Sequence, residues 1–229
     1  MLVFDNLPQI IQTICMLHAY SLIYLQELHM SIPANEGQPS IHPSARVAPN
    51  AIISGDVHIG ANSSIGYGTV IVAEGGAIRI GANCVIMDTA VLRGVTGAPV
   101  TVGDNVLVGP RAYLVGCTVE DECFLATGAT VFNGAVIGKQ SEVRINGLVH
   151  LRTHLPPNSM VPIGWVAIGN PTAILPSTEH DAIWEIQKTM DFPKYVFNVD
   201  RESSMAAMIG RYANALGRMY PNERMLCVK

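Results

Sequence analysis

The chain has 229 residues, of which 49% are hydrophobic and only 14% charged, and its formal net charge is −4. Weak acidity without any run of Lys or Arg argues against a nucleic-acid binder, and the length fits one domain with appendages. Low charge at high hydrophobicity predicts that other subunits cover part of the surface.

Residues 1–40 read as an N-terminal extension. The stretch Leu7 to Leu28 is apolar-rich but is interrupted by Gln9, Gln12, His18, Gln26 and Glu27. It lacks a basic start and a small-residue cleavage site, which argues against a secretory signal, and it is too polar for a membrane span. A helical extension and an upstream start before Met30 both remain open, with a membrane-surface helix as the minor alternative.

From Ile41 an aliphatic residue returns every six places. The beat runs through Val47, Ile53, Ile59, Ile65 and Ile71, slips by three residues to Ile80, and continues through Leu92, Val108, Leu125, Val143 and Val161. Four places after most of these stands a small residue, such as Ser63, Cys84, Ala112, Ala129 or Ser141. Neither a helix nor a simple half-buried strand has this period. It predicts a parallel β-helix over 41–176 with three short strands per turn, one aliphatic per strand pointing inward, and residues 18 apart stacked, as with Val119, Ile137 and Leu155. Each coil is stable only on its neighbours. Gly follows the aliphatic in Ile59-Gly60, Ile80-Gly81 and Val102-Gly103, where the expectation is that it takes up backbone angles other residues avoid. The spacing does not fix the handedness.

Cys84 and Cys123 fall at the small turn position. The five cysteines include no CxxC pair, so they read as buried reduced thiols and the protein as cytoplasmic. Residues 169–176 form a turn-rich exit, and 177–229 are expected to be helical with a mobile tail from Tyr220. A first helix spans Thr178–Met190, capped by Ser177 or Thr178, with Ile183, Trp184 and Ile186 against the coil. Asp191-Phe-Pro breaks it, and a second helix covers Glu202–Met219.

The segments Ile41-His-Pro-Ser-Ala, Ile80-Gly-Ala-Asn, Val108-Gly-Pro-Arg-Ala-Tyr-Leu-Val-Gly-Cys117, Thr127-Gly-Ala-Thr-Val-Phe-Asn-Gly-Ala135 and Gly169-Asn-Pro-Thr-Ala carry a resemblance. The stretch Ile41 to Pro176 resembles the γ-class carbonic anhydrase-like branch of the left-handed β-helix, hexapeptide-repeat superfamily. This implies a left-handed helix of about seven coils followed by a C-terminal helix, assembling as a homotrimer with active sites between subunits. In the family, three histidines from two subunits hold a zinc whose bound water ionises near a pKa of about 7. Those ligand positions correspond here to Arg93, Pro110 and Val115, so all three ligands are missing. The family's Arg-Gly-Asp segment appears as Ala73-Glu-Gly, and its Gln-Asp pair as Met87-Asp88. Hydration at the usual zinc site is unsupported, and no metal site is expected.

The candidate catalytic residues are His150, as general base, and Arg93, whose guanidinium replaces a metal ligand and can hold a carboxylate or phosphate. Candidate substrate-binding residues are Arg111, Tyr113, Glu74, Asp88, Arg144 and Arg152. Arg79 lies along the same face, and Glu74 is expected to pair with an arginine across the subunit interface. The bland alternatives are an interface histidine bonded to backbone and a salt-bridge cluster that glues the trimer. His150 and His154 are four apart, but on this coil that does not imply chelation, and His42 and His58 read as solvent-facing. The loop Gly94–Pro99 adds four residues beside Arg93 and is expected to shape a pocket. Three functions follow: an acyltransferase-type enzyme without zinc that uses acyl-CoA; a non-catalytic trimer that binds a small anion; and a hydratase with relocated ligands. No nucleic acid or membrane partner is expected.

Overall fold

The structure, a computed structural model, describes residues 37–219, all of which fall in the compact unit Pro33–Lys229. Of the extension predicted over residues 1–40, residues 1–36 lie outside the described residues, as does the tail (residues 220–229), and Ser40 already belongs to the first strand. Three parallel sheets enclose one core as the faces of a triangular, left-handed prism of about seven turns. The first face runs from strand Ser40–Ile41 to strand His154–Leu155, and the second from Arg46–Val47 to Met160–Val161. The third runs from Ile52–Ser54 to Trp165–Ile168. The expected stacking holds: Val119 pairs with Ile137, and Ile137 with Leu155.

Two details differ from the expectation. Beyond the first coil, most six-residue sides bury two residues, because the small residue two places before the aliphatic is also buried, as in Ala112 with Leu114 and Ala129 with Val131. A six-residue side must pack its corner as well as its flat, and only a small side chain fits the corner. Where that residue is polar it is bonded. The Ser63 hydroxyl donates to the Gly81 carbonyl at 2.8 Å, and that of Ser141 to the Pro156 carbonyl at 3.0 Å, as a buried hydroxyl requires.

The second difference concerns glycine. The left-handed backbone stands three places after the aliphatic, at Asn62, Asn83, Asn105, Gln140 and Asn158, with φ between 56° and 61°. Asn tolerates this region better than most residues. The glycine directly after the aliphatic has a different role. A Cβ on Gly60 would sit 2.5 Å from the Gly81 carbonyl oxygen of the next rung, so close stacking of the rungs excludes a side chain there.

The exit is more ordered than a turn. After a cis Asn170–Pro171 bond, Ala173–Pro176 returns as an antiparallel strand on Trp165–Ile168 and ends the third face. Three helices follow: α1 (His180–Gln187), extended by a 3-10 turn at Lys188–Met190, then α2 (Phe192–Phe197) and α3 (Met205–Met219). Helix α1 begins at Glu179 with no side-chain cap, so the expected Ser177 or Thr178 cap is not formed. Asp191 turns the chain with φ 45°, and Pro193 enters the first turn of α2, where proline is tolerated. Ile183 and Ile186 join a satellite cluster with Leu151, Ile168 and Met190 on the third face. Trp184 lies off that helical face and stays 44% exposed, with the Arg201 guanidinium 5.9 Å from its ring centre. Among the described residues, no helix is long and apolar enough to cross a membrane.

Candidate functional site

The site is set by two oversized rungs. Ile59 to Ile80 takes 21 residues and Ile80 to Val102 takes 22, against 18 for Val119 to Ile137. The extra residues lengthen two strands of the third face, Val70–Glu74 and Val91–Val95, to five residues each. Val72 pairs with Arg93 and Glu74 with Val95, so Glu74 and Arg93 are diagonal neighbours on the outer surface. The loop after Arg93 is a closed turn, with Val95 and Ala98 exchanging both backbone hydrogen bonds. It packs tightly on the loop below: a Cβ on Gly94 would lie 2.1 Å from the Gly76 carbonyl oxygen. Within it the Thr96 hydroxyl is buried without a hydrogen-bond partner.

Arg93 Nη2 donates to Glu74 Oε1 at 2.6 Å and to Oε2 at 2.5 Å. The Glu74 side chain is 8% exposed and that of Arg93 27%. The pair forms within one subunit, whereas the sequence reading placed Glu74 across an interface; the lengthened strand carries it to its own arginine. Burial works against the Arg93 charge, but the hydrogen bonds and charge of Glu74, with the Tyr113 and Tyr212 phenols behind them, raise its pKa above the ordinary value. Arg93 Nε and Nη1 carry no bond to the described residues.

The three positions of the family's metal ligands do not fit a metal. Arg93 and Val115 are register partners on adjacent rungs, Val115 is buried, and Pro110 offers only its carbonyl, which accepts the Gly128 N–H at 2.9 Å. Among the described residues, no group of three or more His, Cys, Asp or Glu converges to hold a metal ion.

His150 occupies the same outward column three rungs further along, after Val115 and Phe132, roughly 14 Å from Arg93 at the usual strand spacing. One subunit therefore does not bring the two candidate catalytic residues together. His150 is 8% exposed, its ring is 6.0 Å from that of Phe132, and its Nδ1 is buried without a hydrogen-bond partner. Burial lowers its pKa below the ordinary value.

The remaining candidates scatter. Tyr113 lies on the third face between Val91 and Thr130, near enough to Arg93 to act on its charge. Asp88 accepts the Tyr67 N–H at 2.7 Å, which stitches one corner to the next. Arg111, in the left-handed conformation at a corner, is exposed. Arg144 pairs with Glu142 at 2.5 Å on the second face. Arg152 donates to the Met190 carbonyl at 2.8 Å and lies 4.9 Å from the Tyr195 ring centre, which fastens the helical segment to the coil. Arg79 pairs with Asp56 on the first face. Sequence reasoning missed Tyr212, because nothing in a helical pattern tells which rung the helix will approach. It also missed Thr96, for which the inserted loop was the available signal.

Two family models match the coil: bacterial transferase hexapeptide (six repeats) at residues 38–73 and hexapeptide repeat of succinyl-transferase at residues 99–137. The chain is similar to the mitochondrial gamma carbonic anhydrase 1 of Arabidopsis thaliana, at 38% identity over 143 residues, covering 60% of this chain and 50% of that one. It is 39% identical over 121 residues to a "Probable carbonic anhydrase" of Methanocaldococcus jannaschii, covering 53% of this chain and 76% of that one. A solved Bacillus cereus structure of a candidate acetyltransferase shares the fold, with a TM-score of 0.54 at 24% identity, over 80% of this chain and 96% of that one. The chain spans about half the length of the plant relatives it matches.

Proposed function

From the chain's membership of the γ-carbonic anhydrase-like family of hexapeptide-repeat proteins, we propose that it is a member without hydratase chemistry, a homotrimeric subunit that binds a small anion. The observation that carries this reading is the Arg93–Glu74 pair. A guanidinium stands in the place of a ligand, its charge is held by a carboxylate of the same chain, and Nε and Nη1 remain for a carboxylate, bicarbonate or phosphate group. Glu74 holds the fork in place, so an anion meets donors already oriented, and Tyr113 borders the same surface. A cytoplasmic location goes with the buried free thiols of Cys84, Cys117 and Cys123.

The test combines elemental analysis of the purified full-length protein, a carbon dioxide hydration assay, and titration with bicarbonate and inorganic phosphate. The expected result is no stoichiometric transition metal, no hydration above background, and anion binding that is lost in Arg93→Ala. Zinc near one atom per subunit that disappears in His150→Ala would overturn this reading in favour of a hydratase with relocated ligands.

A second reading has one observation of its own. His150 is held neutral by burial and has a free ring nitrogen, the state a general base needs. An acyltransferase would use it to deprotonate an acceptor, with acyl-CoA as donor and Arg111 or Arg152 on the phosphates. Stabilisation by millimolar acetyl-CoA, lost in His150→Ala, supports this reading; an unchanged melting temperature excludes it.

A further inference from the structure

The outer surface around Arg93 is built from valine. Along its own strand the outward neighbours are Val91 and Val95, and across the ladder they are Val72 below and Val115 above. The diagonal neighbours are Val70, Glu74 and Tyr113. Strand propensity alone does not demand this. On the first face the same three turns of the prism place His58, Arg79 and Thr101 outward. An arginine pairs with a carboxylate there too, but Arg79 and Asp56 are 46% and 54% exposed, against 27% for Arg93 and 8% for Glu74. One pair is a surface ion pair in water, and the other is set in an apolar surface.

That setting selects among anions. Both Glu74 oxygens bind Nη2, so a ligand that takes Nε or Nη1 lies close to a carboxylate. The carboxylate repels a second charge, which favours a monoanion over hydrogen phosphate. The valines offer no hydrogen bond to a hydrated ion, but they reward apolar surface laid on them. Val91 lies two residues back along the strand, about 7 Å from Arg93, within reach of an aliphatic tail of a few carbons. Tyr113, the partner of Val91 on the next rung, bounds that path. The Tyr212 phenol of α3 is also near enough to act on the Arg93 charge, and its ring is held edge-on to that of Phe197 at 5.4 Å.

We propose that the anion of this site is a short-chain aliphatic monocarboxylate, with its head on Arg93 and its tail across Val72, Val91 and Val70. The proposal rests on the anion-binding reading above and narrows it from any small anion to one with an apolar tail. Bicarbonate has no tail to lay on the valines, and hydrogen phosphate brings a second charge to Glu74. The tail is the part of the ligand that the valine surface recognises, and the guanidinium alone does not distinguish among carboxylates.

The test is calorimetric titration of the full-length protein, at constant ionic strength, with acetate, propionate, butyrate, isovalerate, bicarbonate and inorganic phosphate. The expected result is a Kd that falls about threefold for each added methylene, with butyrate and isovalerate tighter than bicarbonate or phosphate. Val72→Thr and Val91→Thr keep the β-branched shape and are expected to cut the gain per methylene to less than about twofold. Arg93→Ala is expected to abolish binding of the whole series. Carboxylates that bind no tighter with length, or bicarbonate or phosphate as tight as butyrate, overturn the tail and leave the anion site standing. A gain per methylene that persists in both threonine variants overturns the assigned surface. Binding of none of these anions, or binding that survives Arg93→Ala, overturns the anion site as well.

Discussion

Arg93 and His150 hold the same place in the repeat, the outward residue after an inward aliphatic on the third face, yet they live in opposite environments. At Arg93 the rungs are oversized, and the added residues supply a carboxylate that answers the charge. At His150 the rungs are regular and the buried ring lies beside that of Phe132, with Nδ1 unbonded and its pKa lowered by burial. A register position fixes direction; what covers it decides the chemistry. The difference separates a charged, half-open lower site from a dry upper one.

The most severe way to break this comparison is to empty the core both regions share. Leu114 is fully buried and lies on the rung directly above Arg93. Leu114→Ala is expected to cost about 2–5 kcal/mol, read by chemical denaturation, and to loosen both sites together. A loss under about 1 kcal/mol would mean that the rungs do not act as one packed column.

Next in size is the pair itself. Glu74→Gln leaves a half-buried guanidinium uncompensated and is expected to cost about 2–4 kcal/mol, somewhat less than a fully buried pair because Arg93 is partly exposed. Glu74→Leu combined with Arg93→Met should recover most of that loss while abolishing anion binding. If the single and double variants are equally unstable, Glu74 matters through its packing and not through the pair.

At the upper site, Arg152→Ala removes the bond to the Met190 carbonyl and the contact with Tyr195. A loss of about 1 kcal/mol is expected, together with faster amide exchange in α1 and α2 and none in the coil. The smallest effect is titration. With its folded pKa lowered from 6.5, His150 binds fewer protons in the folded chain than in the unfolded one, so stability falls as pH drops through 6.5 and levels off below the folded value. His150→Phe should flatten that part of the pH profile, and an unchanged profile would show that the ring is accessible to water.

The coil was legible because a six-residue beat over flat sides admits few other solutions, and Val119, Ile137 and Leu155 stack as their spacing requires. The corners were less so. Glycine after the aliphatic suggested special backbone angles, but the angles fall two places later on Asn and Gln, and the glycine serves contact with the next rung. Contact between rungs is invisible to a local reading. The same limit explains Glu74. Its charge and that of Arg93 were plain in the sequence, but the length of the inserted strand decided that they meet within one subunit. Asp191-Phe-Pro ends the first helical stretch as expected, but it also starts the additional helix α2, because a proline in the first turn removes no helical bond.

The thiols among the corner residues give the prism a built-in recorder of its own opening. Cys84 and Cys123 each donate to a carbonyl of the next turn, and burial pushes both thiols up, with Cys117 reaching about 12. Sulfur held in that state is silent toward alkylating reagents, since the thiolate is the reacting species. Timed labelling followed by mass mapping would therefore report where along its axis the prism first comes apart.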